Sequence, residues 1–216
     1  MTEFIDYQEM ANKDISASIS NLNVHDELKG LSVPELRQIC DKDRLPFGVC
    51  VLNITGELNV GTIIRNALLT GARKVGIIGR RKYDKRGTVG SYNYLDVDRV
   101  DGLNDDGITI NTSVFWDWMK ENNFFPVFIE HGGILLNNIN WGDIEYNHMP
   151  YQPCLVFGNE NRGIQEDLLN DNRGTIVSIA QRGVIRSFNV ASASAIVMYN
   201  LSQFMHMDDM NGYSFI

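Results

Sequence analysis

The sequence predicts an α/β fold, in which a mostly parallel β-sheet carries helices on both of its faces. Short apolar runs suited to buried strands alternate along the chain with segments of helical periodicity. Polar, glycine-rich segments follow three of the apolar runs, at residues 53–61, 158–163 and 180–189. Because ligands of parallel sheets bind beyond the carboxyl ends of the strands, these three segments are expected to form a site.

The first 46 residues are predicted to be an N-terminal extension that contains one short helix. Residues 1–31 are polar and show no sustained periodicity. Ser32 and Glu35 then have the spacing of a capping box, and Pro34 suits a first helical turn. The helix is predicted to end near Asp41.

The clearest helix of the sequence covers residues 59–71, where apolar side chains recur at spacings of three and four. Asn59 is its predicted N-cap and Gly71 its predicted stop. Buried strands are predicted on either side of it, over residues 49–52 and 75–78.

The second half of the chain continues the alternation of strands and helices. Its predicted elements are strands over 124–129, 154–157 and 175–179 and helices over 112–122 and 189–205. Together these elements predict one domain over residues 47–206, followed by a tail over 207–216.

Composition bounds the class of protein. With 216 residues, 44% of them hydrophobic, the chain can bury a substantial core without a disulfide or a metal. Cys40, Cys50 and Cys154 are widely spaced and predicted to be reduced and buried. The four histidines lack ligand spacing, so no metal site is predicted. An acidic start without a secretory signal, and no apolar stretch of membrane-spanning length, predict a cytoplasmic protein without a membrane partner.

The charge of the chain is unevenly distributed. The formal net charge is −8, yet residues 73–99 carry +5, which leaves −13 for the rest. A local basic patch on an acidic protein can hold phosphates, although a solvated loop would look the same. The candidate phosphate-binding residues are Arg80, Arg81, Lys82, Lys85 and Arg86.

The first segment that indicates chemistry lies in the helix over 59–71. Arg65 is well off the apolar face of that helix. Helical geometry alone favours a solvated surface arginine. The functional alternative is a guanidinium directed at a phosphate or at an attacking hydroxyl.

The second segment is a strand that ends in Gly158, followed by a polar turn and Gly163. Glycines at such a turn let backbone groups come close to a ligand, and Glu160 could bind ligand hydroxyls or orient a partner. The segment is not a dinucleotide fingerprint, and the chain has no P-loop. A nicotinamide-dependent oxidoreductase is therefore disfavoured.

The third segment leads into the last predicted helix. Ser187 and Asn189 both suit a helix N-cap, which is the structural interpretation of each. Ser187 has no histidine and acid partner in the sequence, so a hydrolase triad is not supported. The alternating alanines and serines that follow allow very close approach of a neighbouring helix or subunit.

Together the three segments resemble the SpoU (TrmH-like) family of RNA ribose methyltransferases, in the SPOUT superfamily. The shared patterns are N-x-G-x-x-x-R, G-x-E-x-x-G and S-[LF]-N-V-[SA], in that order. Here they are Asn59/Gly61/Arg65, Gly158/Glu160/Gly163 and the five residues from Ser187 to Ala191. The resemblance implies a C-terminal trefoil knot, a homodimer and S-adenosylmethionine as cofactor.

The resemblance also implies roles for particular residues. The implied active-site residues are Asn59, Arg65, Glu160, Ser187 and Asn189. The implied cofactor-binding residues are Phe157, Gly158, Asn159, Gly163, Ile179, Gln181, Val184 and Phe188. The five basic residues named above become candidates for RNA binding.

The predicted function is methyl transfer from S-adenosylmethionine to a ribose 2′-hydroxyl of RNA, with tRNA favoured over rRNA. The alternative is a catalytically silent RNA-binding or assembly module that retains the fold. The family proposal makes the matching arginine a base. A guanidinium resists deprotonation, so we prefer that Arg65 clamps a phosphate and stabilises negative charge that develops on the oxygen.

Overall fold

In the computed structural model, the chain forms a six-stranded sheet with strand order β3-β2-β1-β5-β4-β6, and every pair of neighbours is parallel. The structure describes residues 23–80, 82–148 and 150–207. The strands are β1 (Leu45–Leu52), β2 (Ala72–Ile78), β3 (Asp96–Val100), β4 (Phe124–Leu135), β5 (Gln152–Phe157) and β6 (Thr175–Ser178). The helices are α1 (Val33–Lys42), α2 (Glu57–Leu69), α3 (Lys85–Thr88), α4 (Thr112–Glu121), α5 (Trp141–His148), α6 (Glu166–Leu169) and α7 (Val190–Met207).

Helices cover both faces of the sheet, as the apolar runs predict. Along β1, Val49 and Val51 face a core that contains residues of α2, α5 and α7. The alternate residues Cys50 and Leu52 face a second core that contains residues of α4 and α6. Side chains on both faces of β1 are buried, which explains why the strand has a continuous apolar sequence. The predicted α/β class with a parallel sheet is confirmed.

The capping box before α1 is confirmed. The Ser32 backbone N–H donates to Glu35 Oε2 at 2.8 Å, and the Ser32 hydroxyl donates to the same oxygen at 2.7 Å. Pro34 lies at the start of the helix, where a missing N–H leaves no intrahelical bond unmade.

The predicted start of α2 is wrong, and its predicted end is confirmed. The helix begins at Glu57 with Gly56 as N-cap, so Asn59 lies inside the first turn. Its side chain is used elsewhere, because it bonds to two other segments of the chain. Gly71 follows the last helical turn with φ +78°, and its N–H donates to the Leu68 carbonyl at 3.1 Å.

Strand β3 is missing from the sequence prediction because charged residues alternate along it. Asp98 accepts bonds from Lys74 Nζ at 3.1 Å and from Trp118 Nε1 at 2.9 Å. Charges on an outer strand discourage pairing with another chain. Helices α3, α5 and α6 were also not predicted, since each is short.

The cysteines are unpaired, as predicted, but only two of them are fully buried. Cys50 and Cys154 lie in the sheet, where burial raises the pKa of each thiol. Cys40 is half-buried in α1, which corrects the expectation that all three are buried.

Some of the predicted features lie outside the described residues or are not tested by the fold. Residues 1–22 of the N-terminal extension, Arg81 and residues 208–216 of the tail lie outside the described residues. The trefoil knot stays a prediction.

Candidate active site

Glu160 connects the turn after β5 to the N-terminus of α2. Its carboxylate accepts hydrogen bonds from the backbone N–H groups of Thr55 at 3.0 Å and Gly56 at 2.9 Å, and from the Thr55 hydroxyl at 3.1 Å. A fourth bond comes from the Asn59 side-chain amide at 3.0 Å. An anion at this position also interacts favourably with the positive end of the α2 dipole. A residue more than 100 positions away in sequence therefore satisfies the start of α2.

The environment of Glu160 stabilises its ionised form. Desolvation by burial, the largest single influence, raises the pKa of the carboxyl. Hydrogen bonds together outweigh the effect of burial and lower the pKa from 4.5 to about 2. They come from Asn59, from the backbone of Thr55 and Gly56 and from the backbone of Glu160 itself. Glu160 is therefore a fixed negative charge at neutral pH and not a proton donor.

Asn59 also contacts the third segment, at the start of α7. The Asn189 side-chain amide donates to Asn59 Oδ1 at 3.1 Å. Asn189 Oδ1 accepts from the backbone N–H of Ala191 at 2.9 Å and of Ser192 at 3.3 Å. Of the two N-cap candidates, Asn189 is therefore the one that caps the helix. We call the chain Glu160–Asn59–Asn189 the motif network.

The turn after β5 is a tight loop built by Asn159. Its backbone exchanges two hydrogen bonds with Gly163, at 2.8 and 3.1 Å, and its side-chain oxygen accepts from the N–H of Asn161 at 3.0 Å. A Cβ on Gly158 would lie 2.3 Å from the Gly163 carbonyl carbon, so only glycine allows the turn to close this far.

Glu130, at the end of the regular part of β4, supports the same turn, and sequence reasoning missed it. Its Oε2 accepts from the Ile164 N–H at 3.0 Å, and a Cβ on Gly163 would lie 2.4 Å from that oxygen. A lone glutamate in an apolar strand gives no local signal of this role, because its partner is 34 residues away.

The segment after β6 presents apolar side chains to solvent. Val184 is fully exposed, and Ile185 and Phe188 are 79% and 44% exposed. Among the other cofactor-binding candidates, Phe157 is buried in the sheet, Ile179 is half-buried and Gln181 is exposed. Uncovered apolar groups in this segment suit an aromatic ligand.

Arg65 and Ser187 do not join the motif network. Arg65 lies on the exposed side of α2 and Ser187 in the exposed segment before α7. Neither side chain forms a hydrogen bond or an ion pair with another residue in the part of the chain that the structure describes. The predicted active-site residues are thus divided between a bonded group of three and two exposed residues.

The basic residues of segment 73–99 do not form one patch. Arg73 and Lys74 lie at the start of β2, roughly 20 Å along the strand from Arg80, which follows its end. Lys74 pairs with Asp98, and Arg73 donates to the Asn122 carbonyl at 2.5 Å. The positive charge available near the site comes from the residues after β2.

The residues after β2 differ in how strongly they are held. Arg86 pairs with Asp84 at 2.6 Å, and Lys85 Nζ lies 5.0 Å from the centre of the Tyr92 ring. Arg80 and Lys82 are exposed.

Within the described ranges there is no group of three or more potential metal ligands, and no helix there is long and apolar enough to cross a membrane.

The parallel sheet and the three segments that meet at its carboxyl edge define an α/β protein whose candidate site lies where β1, β5 and β6 end. The model of the SpoU rRNA Methylase family matches residues 46–199, and the chain belongs to that family. No curated protein sequence matches the chain.

Solved structures share the fold at low identity. The SpoU methyltransferase AviRb from Streptomyces viridochromogenes, in complex with AdoMet, matches at 22% identity with a TM-score of 0.58 over 79% of this chain and 60% of that one. A TrmH/SpoU tRNA modifying enzyme from A. aeolicus matches at 18%, with a TM-score of 0.62 over 82% and 83%. An AdoMet-bound rRNA methyltransferase from Sinorhizobium meliloti matches at 24%, with 0.60 over 78% and 60%. The chain thus spans only about 60% of the first of these proteins.

Proposed function

We propose that this protein transfers a methyl group from S-adenosylmethionine to a ribose 2′-hydroxyl of RNA. The observation that carries the proposal is the motif network. Three residues that the family motifs share are spread over 130 positions of the sequence, yet they form one hydrogen-bonded chain at the sheet edge. Membership of the SpoU family supports the same reaction class.

The residues present fit S-adenosylmethionine. The turn at Gly158 and Gly163 closes so tightly that a side chain on Gly158 would clash with backbone, and the apolar side chains of Val184 and Phe188 are exposed in the segment after β6. AviRb and the Sinorhizobium meliloti enzyme were both crystallised with this cofactor. When bound, it supplies an electrophilic methyl group. The proposed binding residues are the eight named from the sequence: Phe157, Gly158, Asn159, Gly163, Ile179, Gln181, Val184 and Phe188.

In this proposal Arg65 is an electrostatic clamp. A guanidinium stays protonated at neutral pH, so it can hold a phosphate and stabilise charge that develops on the attacking oxygen. Ser187 and Asn189 border the cofactor segment, and Glu160 holds Asn59 in position. Much of the acceleration would come from orientation of the hydroxyl.

We further propose that the protein is a homodimer. Leu58 and Leu69, on the same side of α2 as Arg65, are 59% and 71% exposed. Ile196 and Tyr199 form an exposed apolar stripe on α7. Apolar side chains grouped in this way are typical of a protein interface. A partner subunit there would place Arg65 at the subunit boundary.

The proposed substrate is RNA, with tRNA preferred to rRNA. The A. aeolicus protein, which this chain matches over 83% of its length, is a tRNA modifying enzyme. The basic residues after β2 (Arg80, Arg81, Lys82, Lys85 and Arg86) are the proposed phosphate contacts, with Arg86 weakened by its pairing to Asp84.

The test is incubation with radiolabelled S-adenosylmethionine and either unmodified tRNA or unmodified rRNA. We expect label in alkali-resistant dinucleotides, which contain a 2′-O-methyl group, and loss of that label in Arg65→Ala. Arg65→Lys should also lose most turnover, because lysine lacks the planar fork. If the protein binds RNA but does not bind S-adenosylhomocysteine and transfers no label to the RNA, it is instead a silent RNA-binding module.

A further inference from the structure

A cavity of about 230 Å³ lies beside the motif network, at the ends of β1, β2 and β5. Its lining includes Asn53, Arg80, Ile108, Asn159, Arg162 and Gln165. It shares Asn159 and Gly163 with the proposed cofactor site, but the described residues that line it include none from the segment after β6. The proposed reaction uses Arg80 as a phosphate contact and Asn159 and Gly163 as cofactor contacts, but it assigns no ligand to the space between Asn53, Ile108 and Arg162.

The walls of the cavity are held together by side-chain amides. Asn53 Nδ2 donates to the Ile108 carbonyl at 2.7 Å, and Asn159 Nδ2 donates to the Asn53 carbonyl at 2.7 Å. Gln165 exchanges two bonds with the Ile110 backbone, at 2.8 and 3.0 Å. Asn53 itself has φ +46°, a conformation that non-glycine residues rarely adopt. These hydrogen bonds join the three chain segments that form the walls of the cavity.

Two arginines give the cavity a positive character. Arg80 and Arg162 both line it, and neither guanidinium has a hydrogen-bond or ion-pair partner among the residues that the structure describes. The nearby carboxylate of Asp106 accepts hydrogen bonds from the N–H of Ile108 at 2.8 Å and of Thr109 at 2.9 Å, and it also attracts the charge of Arg162 without forming an ion pair with it. Guanidinium groups without partners bind phosphate through paired N–H donors.

The cavity shares a wall with the proposed active site. Thr55 lines it and also donates two hydrogen bonds to Glu160, while Asn159 precedes Glu160 in the turn. A ligand in the cavity would therefore contact residues next to Glu160 in the motif network. Such a position suits a nucleotide of the same RNA strand that carries the reacting ribose.

We propose that the cavity binds one nucleotide of the RNA strand next to the methylated one. Arg80 and Arg162 hold its phosphate, and the polar amide and backbone groups of the walls contact its base. The proposal rests on the proposed function, because it makes the cavity a substrate site. It predicts that part of the RNA selectivity is located here and not at the methylated ribose.

The test is a titration of the ¹⁵N-labelled full chain with uridine 5′-monophosphate and with adenosine 5′-monophosphate, in saturating S-adenosylhomocysteine. The amide signals of Gly107 and Ile108, at the rim of the cavity, report occupancy. We expect them to shift with at least one nucleotide. Arg80→Gln and Arg162→Gln should each weaken that binding by roughly tenfold, as expected for a lost charge-assisted bond.

Lys120→Gln is the matched control, because it removes the same charge. Lys120 lies in the last turn of α4, next to Asn122, which contacts Arg73 at the opposite end of β2. Nucleotide binding unchanged in Lys120→Gln and weakened in both arginine variants would support the proposal. Equal binding in all variants would overturn it, and so would inorganic phosphate that binds as tightly as the nucleotides.

A second measurement separates this proposal from the reaction itself. Affinity for a 12-nucleotide single-stranded RNA should fall less steeply with salt in each arginine variant, by about 0.7 in the slope of log K against log salt concentration for each lost phosphate contact. An unchanged slope overturns the cavity assignment. Failure of the wild type to bind S-adenosylhomocysteine would contradict the proposed function, and the nucleotide titration would still report on the cavity.

Discussion

The Asn59 side-chain amide donates to Glu160, and this single bond determines the orientation of the motif network. An ionised carboxylate only accepts hydrogen bonds, so Asn59 must present its NH₂ group to Glu160. Its oxygen then faces Asn189, which must donate. Asn189 is left with its own oxygen toward the N–H groups of Ala191 and Ser192. The Glu160 charge at one end of the network and the N-terminus of α7 at the other end therefore require the same orientation of both asparagine amides.

Two replacements of Asn189 distinguish its role as the N-cap of α7 from its hydrogen bond to Asn59. Asn189→Asp keeps an acceptor for the Ala191 N–H, so we expect stability to change by less than about 1 kcal/mol. It loses the donor to Asn59, and methyl transfer should fall roughly tenfold. Asn189→Ala loses both and should also destabilise the fold by about 1 kcal/mol. Denaturant unfolding and the methyl-transfer assay measure the two effects, and full activity in Asn189→Asp would contradict the network.

The lowered pKa of Glu160 predicts that the fold loses stability in acid. Its folded pKa of about 2 lies below the ordinary 4.5, so the ionised form stabilises the fold. The contribution is complete above the ordinary pKa and is lost as the pH falls through about 2. Free energies of unfolding of wild type and Glu160→Gln should therefore differ by a constant amount above about pH 5 and converge toward pH 2. Two parallel curves across that range would show that the carboxylate is not held by these bonds.

Gly61 lets α2 pack against the segment that leads into α3. A Cβ at this position would lie 2.4 Å from the Asp84 carbonyl oxygen, which is backbone and cannot rotate away. Gly61→Ala gains helix propensity of about 1 kcal/mol, but the overpacking costs about 1 to 3 kcal/mol. We expect a net destabilisation of about 1 kcal/mol in denaturant unfolding.

The control for that variant is Gly183→Ala. Nothing lies within 4 Å of a Cβ at Gly183, and its φ is not positive, so its stability should be unchanged. Equal stability of the two variants would show that α2 and the Asp84 segment are not in close contact in solution.

The exposed apolar side chains on α2 and α7 predict a dimer in solution. Leu69→Glu places a charge on a side chain that is 71% exposed, so the fold of one chain should tolerate it. In a dimer the same charge would be buried without a partner, which is strongly unfavourable. Sedimentation velocity should show a dimer for wild type and a monomer for Leu69→Glu.

Val33→Glu serves as the comparison in that experiment, because Val33 is an exposed apolar residue of α1. It should remain dimeric. A monomeric wild type would remove the proposal that Arg65 lies at a subunit boundary.

The sequence alone was sufficient for features that depend on neighbouring residues. The capping box at Ser32 and Glu35 and the stop at Gly71 were predicted correctly, because caps are made within a few residues. The apolar runs of the central strands were also sufficient, since a strand buried on both faces can hold few polar groups. That the three motif segments meet at one edge of the sheet followed from the direction of parallel strands.

Tertiary structure decided the features whose partners lie far apart in sequence. Asn59 was predicted as a cap, but Glu160, 101 residues later, satisfies the start of α2 and leaves Asn59 free to bridge to Asn189. Glu130 was missed because its partner Ile164 is 34 residues away. The cavity with Arg80 and Arg162 also joins distant segments. Local preference is set by adjacent residues, whereas the partner of a polar side chain is set by the order and direction of the strands that carry it.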